Sequence, residues 1–183
     1  MNIKSSLKVS ELSNFIGVSN HLIYKLINEL DLNVIEKGNK KLLPPSTVRK
    51  ILNNRSFVYK NETRPTVINI FGMKGGIGKT ALATAICEGS SRLGFRVLGC
   101  DLDMQGNLTQ GFNVKKQGQP VLYNVLRDES TLNETIMNVH ENLDILPSSL
   151  INSGVELLLS GNPLNYANYF NNQFESIFDN YDL

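Results

Sequence analysis

A glycine-rich loop directly behind a β-branched apolar run is the feature that most constrains this chain. Thr66-Val67-Ile68-Asn69-Ile70-Phe71 has the composition of a buried parallel strand. It leads into Gly72-Met73-Lys74-Gly75-Gly76-Ile77-Gly78-Lys79-Thr80. Leu82, Ala85, Ile86, Gly89 and Leu93 follow at helical spacing and are expected to share a buried face. Strand, glycine loop and helix, in that order, is the context of a phosphate-binding loop. Glycines let the backbone curl so that successive N–H groups point at phosphate oxygens. The helix N-terminus adds a partial positive charge at the same place. Lys79 supplies a full charge for the β- and γ-phosphates, and Thr80 a hydroxyl for Mg²⁺. The expected nucleotide-binding residues are therefore Gly75, Gly76, Ile77, Gly78, Lys79, Thr80 and Ala81.

The rest of the composition narrows the alternatives. With 183 residues and 41% apolar residues, the chain can bury one sizeable core or two small ones. No apolar run approaches the roughly 20 residues needed to span a bilayer. The start, MNIKSSLKVSELSNF, lacks the apolar core of a signal peptide, so a cytoplasmic location is expected. Cys87 and Cys100 make no disulfide framework, and no His/Cys cluster has metal-ligand spacing.

The formal net charge of +1 hides an asymmetry. Residues 1–64 carry 11 Lys/Arg against 5 Asp/Glu, whereas residues 65–183 carry 7 against 12. A basic front and an acidic back suggest two domains with different partners, a polyanion being the natural one for the front. The polar stretch from Asn53 to Pro65 separates two regions of clear apolar periodicity. The expected division is a domain over residues 1–54, a linker over 55–65 and a second domain over 66–183.

In the front part, Val9, Leu12, Phe15 and Ile16 recur at helical spacing after Ser10, a candidate N-cap. Gly17 permits a sharp turn, and Val18 can plug the angle between two helices. Ser19 then caps a second helix whose Ile23, Leu26, Ile27 and Leu30 form an apolar face. Its opposite face carries Asn20, His21, Tyr24, Lys25 and Asn28. Residues 33–36 and 40–43 can pair as a basic hairpin about Lys37-Gly38-Asn39, and Ser46 to Leu52 reads as a third helix. The order is that of a winged helix-turn-helix, similar to the MerR-like type. Its expected DNA-binding residues are Ser19, Asn20, His21, Tyr24, Lys25, Lys37, Lys40 and Lys41. A protein-interaction module is the alternative.

The loop at 72–80 departs from the G-x-x-x-x-G-K-[ST] pattern, because Met73 stands five residues before Gly78. It matches K-G-G-x-G-K-T instead, and so resembles the deviant Walker A box of the ParA/MinD family of ATPases. A second segment agrees. Arg96 to Cys100 reads as a strand leading into Asp101-Leu102-Asp103-Met104-Gln105-Gly106-Asn107-Leu108-Thr109. This is similar to the family's D-x-D-P-Q-G-N-x-T, with Met104 where proline is usual. Leu143 to Ser149 resembles the family's strand ending in L-P-[SA]. Leu164, Ala167, Phe170, Phe174 and Ile177 or Phe178 read as the packing face of a late helix.

The resemblance implies an α/β fold: a P-loop NTPase-like parallel sheet with flanking helices, incomplete here, preceded by a small, mostly helical winged helix-turn-helix domain. It implies ATP and Mg²⁺ as cofactors. Lys74 would reach across a dimer to the partner's phosphates, and Asp103 would orient the attacking water or support the magnesium shell, with Asp101 close by. Catalysis would thus rest on Lys74 and Asp103, and metal binding on Thr80, Asp101 and Asp103. In the family a strand ending in the Walker B aspartate follows a Tyr-Asp pair, and here the sequence stops at Tyr181-Asp182-Leu183. The expectation is a chain truncated before that strand.

The implied function is a ParA-type partition ATPase that segregates plasmid or chromosome DNA. It would form a homodimer on ATP, work with a centromere-binding ParB-like protein and associate with the nucleoid rather than a membrane. The front domain would repress its own operon. Two alternatives stand beside this: a DNA-binding repressor fragment with an inactive ATPase half, and a P-loop ATPase positioning another cargo.

Overall fold

The computed structural model describes residues 5–59, 64–72, 74–114, 118–161 and 163–183. Strand β1 (Leu7–Lys8) runs into helix α1 (Val9–Ile16), which starts one residue before the expected cap Ser10. Lys8 takes the cap position, and its N–H donates to Glu11 Oε2 at 2.7 Å. Gly17 ends the helix with a φ of 69°, a left-handed turn that side chains resist. Helix α2 (Asn20–Glu29) starts on Ser19 as expected, with Leu22 N–H donating to Ser19 Oγ at 3.3 Å. Ser13 Oγ donates to Asn20 Oδ1 at 2.6 Å and ties the two helices together.

Val9, Leu12, Ile23, Leu26 and Ile27 are buried, and Val18 packs against them. Two residues of the apolar pattern are not. Phe15 is 53% exposed, because it lies roughly 90° round the helix from the Val9–Leu12–Ile16 stripe. Leu30 falls just past the end of α2 and is 37% exposed.

Strands β2 (Ile35–Lys37) and β3 (Lys40–Leu43) form the hairpin, paired Ile35 with Leu42, Glu36 with Lys41 and Lys37 with Lys40. Gly38, with φ 56°, begins its two-residue turn. β1 pairs with the other edge of β3. Helix α3 (Pro45–Asn54) opens on Pro45, whose missing N–H no helical partner needs at that position. Leu12, Ile23, Leu43, Val48 and Ile51 are wholly buried and form the centre of this front region.

Behind the glycine loop stands helix α4 (Lys79–Arg92), packed on β4 (Val97–Cys100). β4 runs parallel to β6 (Leu143–Leu146), and β5 (Met137–His140) adds antiparallel to the far edge of β6. The face α4 buries differs from the expected one. Leu82 is 53% exposed, and Ala85 and Gly89 also face outward. The packed stripe is Ala83, Cys87 and Ser91, at i, i+4 and i+8. Small residues win because α4 and β4 approach closely: a Cβ on Gly99 would meet Cys87 Sγ at 3.1 Å and Ile145 Cδ1 at 2.6 Å. Burial, with Glu88 nearby, pushes the Cys87 thiol up to about 11, which leaves it a packing residue.

Short helices α5 (Asn107–Gly111), α6 (Leu122–Leu126) and α7 (Leu132–Thr135) follow β4 in sequence, and α8 (Ser153–Gly161) and α9 (Pro163–Glu175) follow β6. Leu122, Val125, Leu132, Leu146 and Ile177 build the core between them, with Phe170 and Phe174 stacked at 5.8 Å beside it. The side chains of Leu164 and Ala167 lie outside the described residues. No helix among the described residues is long and apolar enough to cross a membrane.

The expected strand at 66–71 is not formed. Thr66 N–H donates to Asp182 O at 2.9 Å, and Leu98 N–H to Leu183 O at 2.9 Å, so Tyr181–Leu183 lies between this segment and β4. Past that point the two segments face each other across an open cavity. A strand exists by pairing. Lacking a partner, the segment leaves Val67 and Phe71 each 82% exposed.

A buried carboxylate joins the front region to the back. Asp182 is fully buried and accepts from Arg49 Nη1 at 2.5 Å and from Arg96 Nη2 at 2.9 Å. Arg96 N–H donates to the same carboxylate at 2.8 Å. Arg49 also donates to Gly94 O at 2.8 Å and lies 4.1 Å over the Tyr59 ring. Phe57, Tyr59 and Phe95 pack edge to face around this junction. Burial alone would raise the Asp182 carboxyl, but the arginine hydrogen bonds outweigh it and hold the group at about 2.

Candidate nucleotide-binding site

The site grows from two loops at one end of β4. The first is the glycine loop, where Gly76 and Gly78 take φ of 73° and 85°. Only glycine adopts such values without strain, and they turn the backbone sharply into α4. Lys79 opens that helix, and its Nζ folds back to donate to Lys74 O at 3.1 Å. The cation is thus held inside the curl of the loop, where a phosphate chain would need it. Thr80 follows in the first turn, half-buried, with Thr84 Oγ1 donating to its carbonyl at 2.8 Å. Met73 lies outside the described residues.

The second loop leaves β4 at Asp101. This carboxylate is buried, and Oδ2 accepts from Thr109 N–H at 2.8 Å and from Thr109 Oγ1 at 2.6 Å. Thr109 Oγ1 in turn accepts from Ser148 N–H at 2.9 Å, in the turn after β6. Asn152 Nδ2 continues the chain by donating to Ser148 Oγ at 2.8 Å. Gly106, with φ 63°, lets the loop pass under Ser148, whose carbonyl would lie 2.9 Å from an added Cβ. The segment 101–109 is therefore braced by a buried polar network that leaves Asp103 exposed at its tip. There Asp103 Oδ1 accepts from Gln105 N–H at 3.0 Å, which holds the carboxylate in place without covering it.

The first turn of α4, just behind the glycine loop, and the loop after β4 open on one cavity of about 510 Å³. Lys79, Thr80, Asp101 and Asp103 line it, together with the apolar residues of segment 65–70, β4 and α9. Four of the residues singled out in the sequence are thus brought together. Lys74 is not among the lining residues; it stands exposed to solvent, as do Gly75, Gly76, Ile77, Gly78 and Ala81, none of which lines the cavity. Among the described residues, no three His, Cys, Asp or Glu side chains gather to hold a metal ion by themselves. Thr80, Asp101 and Asp103 all line the cavity with oxygens, although Asp101 Oδ2 is taken up by Thr109; these are hard donors that suit Mg²⁺ sharing its shell with phosphates and water.

Sequence reasoning missed the second layer of this site. Thr109 was visible only as part of a motif, and its service to Asp101 needed the fold to show it. Asp182 and Arg49 carry no local signal, being 133 residues apart.

A phosphate-loop α/β protein is the class that this fold and these two loops define. The AAA domain family (AAA_31) matches residues 65–183, and the chain belongs to it. Among characterised proteins it is similar to the sporulation initiation inhibitor protein Soj of Bacillus subtilis. The two are 34% identical over 95 residues, which are 51% of this chain and 38% of that protein. It is equally similar to the chromosome-partitioning ATPase Soj of Thermus thermophilus, 34% identical over 52% of this chain and 37% of that one. The chain therefore spans less than half the length of these relatives. A crystal structure of a plasmid partition protein from Borrelia burgdorferi superposes with a TM-score of 0.54 at 25% identity. The match covers 65% of this chain and 54% of that one.

Proposed function

We propose that the chain carries the nucleotide-binding part of a ParA-type partition ATPase, joined to a winged helix-turn-helix that binds DNA. The observation that carries the reading is the convergence of Lys79, Thr80 and Asp103 on one cavity at the start of α4. ATP would lie with its phosphates against the glycine loop, its charge met by Lys79 and the helix terminus. Thr80 and Asp103 would hold Mg²⁺, with Asp101 fixing the loop that presents Asp103. The ion supplies neutralisation of phosphate charge. Asp103 would hold the attacking water, and Lys74, which is exposed to solvent, would serve the second subunit of an ATP-bound homodimer. Similarity to a chromosome-partitioning ATPase and to a plasmid partition protein supports cargo DNA as the object of the cycle, and a ParB-like centromere-binding protein would be its partner.

The front region, taken as residues 1–54 with a linker over 55–65, would be the operator-binding unit. Support comes from α2, whose Asn20, His21, Tyr24 and Lys25 stand exposed opposite the buried Ile23–Leu26–Ile27 face. An exposed polar helix preceded by a tight glycine turn is what enters a major groove, and the hairpin with Lys37, Lys40 and Lys41 is placed to act as a wing. Ser19 is engaged as the α2 cap and Asn20 by Ser13, so both would act mainly through position.

Calorimetry with ATP·Mg²⁺ tests the first half. The wild-type chain should bind, and Lys79→Ala should abolish binding, since the loop loses its central cation. Equal affinity of the two would sink the nucleotide assignment. For the second half, combined Lys25→Ala, Lys40→Ala and Lys41→Ala should weaken binding to upstream DNA and flatten its salt dependence.

A further inference from the structure

A second pocket, of about 710 Å³, lies between the β2–β3 hairpin, the start of α1 and the last turn of α4. Four of its lining side chains are cationic, Lys8, Lys37, Lys40 and Arg92, against the single carboxylate of Glu11. That carboxylate is already engaged: it accepts the Lys8 N–H at 2.7 Å as the α1 cap and lies 3.6 Å from Lys8 Nζ. Lys37 and Lys40 stand directly opposite each other across the hairpin. Like charges in that register destabilise a hairpin, and an anion between them turns the repulsion into attraction. Arg92 reaches in from the other region of the molecule. Its Nη2 donates to Ser6 O at 3.1 Å, while its Nε is buried with no hydrogen-bond partner among the described residues. A buried unpaired guanidinium donor is costly, and an anionic oxygen is the acceptor that suits it. Gly38 leaves the mouth open, since an added Cβ there would meet nothing within 4 Å.

We infer that this pocket receives a backbone phosphate of bound DNA, so that Arg92, at the end of the helix that begins in the glycine loop, is a DNA contact. The inference rests on the DNA-binding reading of the front region and extends it to a residue outside that region. A phosphate contact fixes register and adds affinity without reading bases. Lys8 and Arg92 thereby join Lys37 and Lys40 in one clamp on the sugar–phosphate strand beside the groove that α2 enters.

The experiment is a titration of fluorescent duplex DNA with the full chain at several salt concentrations, followed by anisotropy. Arg92→Gln and Lys8→Gln should each weaken binding severalfold and lower the slope of log affinity against log salt by about 0.9, the release expected for one phosphate contact. The loss should be the same on operator and on unrelated DNA. Lys50→Gln removes the same charge from an exposed site of α3 outside the pocket and should leave the slope unchanged. Should Arg92→Gln fail to fold, Lys8→Gln, whose side chain is 55% exposed, carries the test alone. Slopes for Arg92→Gln and Lys8→Gln equal to wild type, or no different from Lys50→Gln, would overturn the pocket while the DNA reading stands. A wild-type chain that binds no duplex at low salt would overturn both.

Discussion

The front and back regions solve the same problem with different reach. In residues 5–59 the core closes on Leu12, Ile23, Leu43, Val48 and Ile51, which lie within a few dozen residues of one another, with Phe95 packed against it from the back region. In residues 64–183 the sheet pairs β4 with a strand more than forty residues later, and among the described residues the segment before the glycine loop finds its one backbone partner at Asp182. Contacts close in sequence need little loop closure, and distant ones must be supplied by the rest of the fold. A locally closed unit can therefore hold α2 rigid. The nucleotide loop instead sits between elements gathered from afar.

Substitutions can break this contrast, and the largest effect is expected in the closed core. Leu12→Ala should cost about 2–5 kcal/mol, because the site is wholly buried and cannot collapse without moving α2; chemical denaturation measures it.

Next comes the junction. Asp182→Asn should cost about 2 kcal/mol, the value of holding its pKa near 2 rather than at its ordinary 3.8. The sign follows from that depression. The stability is present in full above the ordinary carboxyl range and is lost as pH falls from about 4 toward 2. Wild type should lose stability across that window and Asp182→Asn should lose less, as read by denaturant midpoints at each pH. The same substitution should separate the two regions into distinct unfolding steps, because it loosens Arg49 from Arg96.

A smaller effect is expected at Thr109→Val, which keeps shape but removes a hydroxyl that serves both Asp101 and Ser148. About 1 kcal/mol should be lost, with looser presentation of Asp103 and weaker ATP·Mg²⁺ binding in calorimetry. The smallest belongs to Phe71→Ala. At 82% exposure this large aromatic contributes little to burial, and its removal should change stability by no more than about 0.5 kcal/mol. A loss as large as that of Leu12→Ala would mean that segment 66–71 is packed in solution.

Much of this was legible in the sequence, and its failures share one cause. Ser19 as a cap, the glycine turn at Gly17, the hairpin about Gly38 and a helix directly behind the glycine loop all follow from local rules. Each depends on neighbours a few residues away. Phe15 and Leu82 were misplaced because apolar spacing alone does not say which side of a short helix meets the core. On α4 the close approach of β4 selects Ala83, Cys87 and Ser91 over the larger Leu82. The strand at 66–71 has the right composition and fails for lack of a pairing partner. In the site, the motifs picked out Lys79, Thr80, Asp101 and Asp103, but not the Thr109–Ser148–Asn152 network that braces them.

Hydrogen exchange with and without ATP·Mg²⁺ tests the central claim most directly, because it reads both regions in one experiment. Slower exchange is predicted for the amides of residues 74–82 and 101–107, with α2 and the β2–β3 hairpin unchanged. Protection confined to the front region, or no change in the glycine loop at saturating ATP·Mg²⁺, would contradict the account.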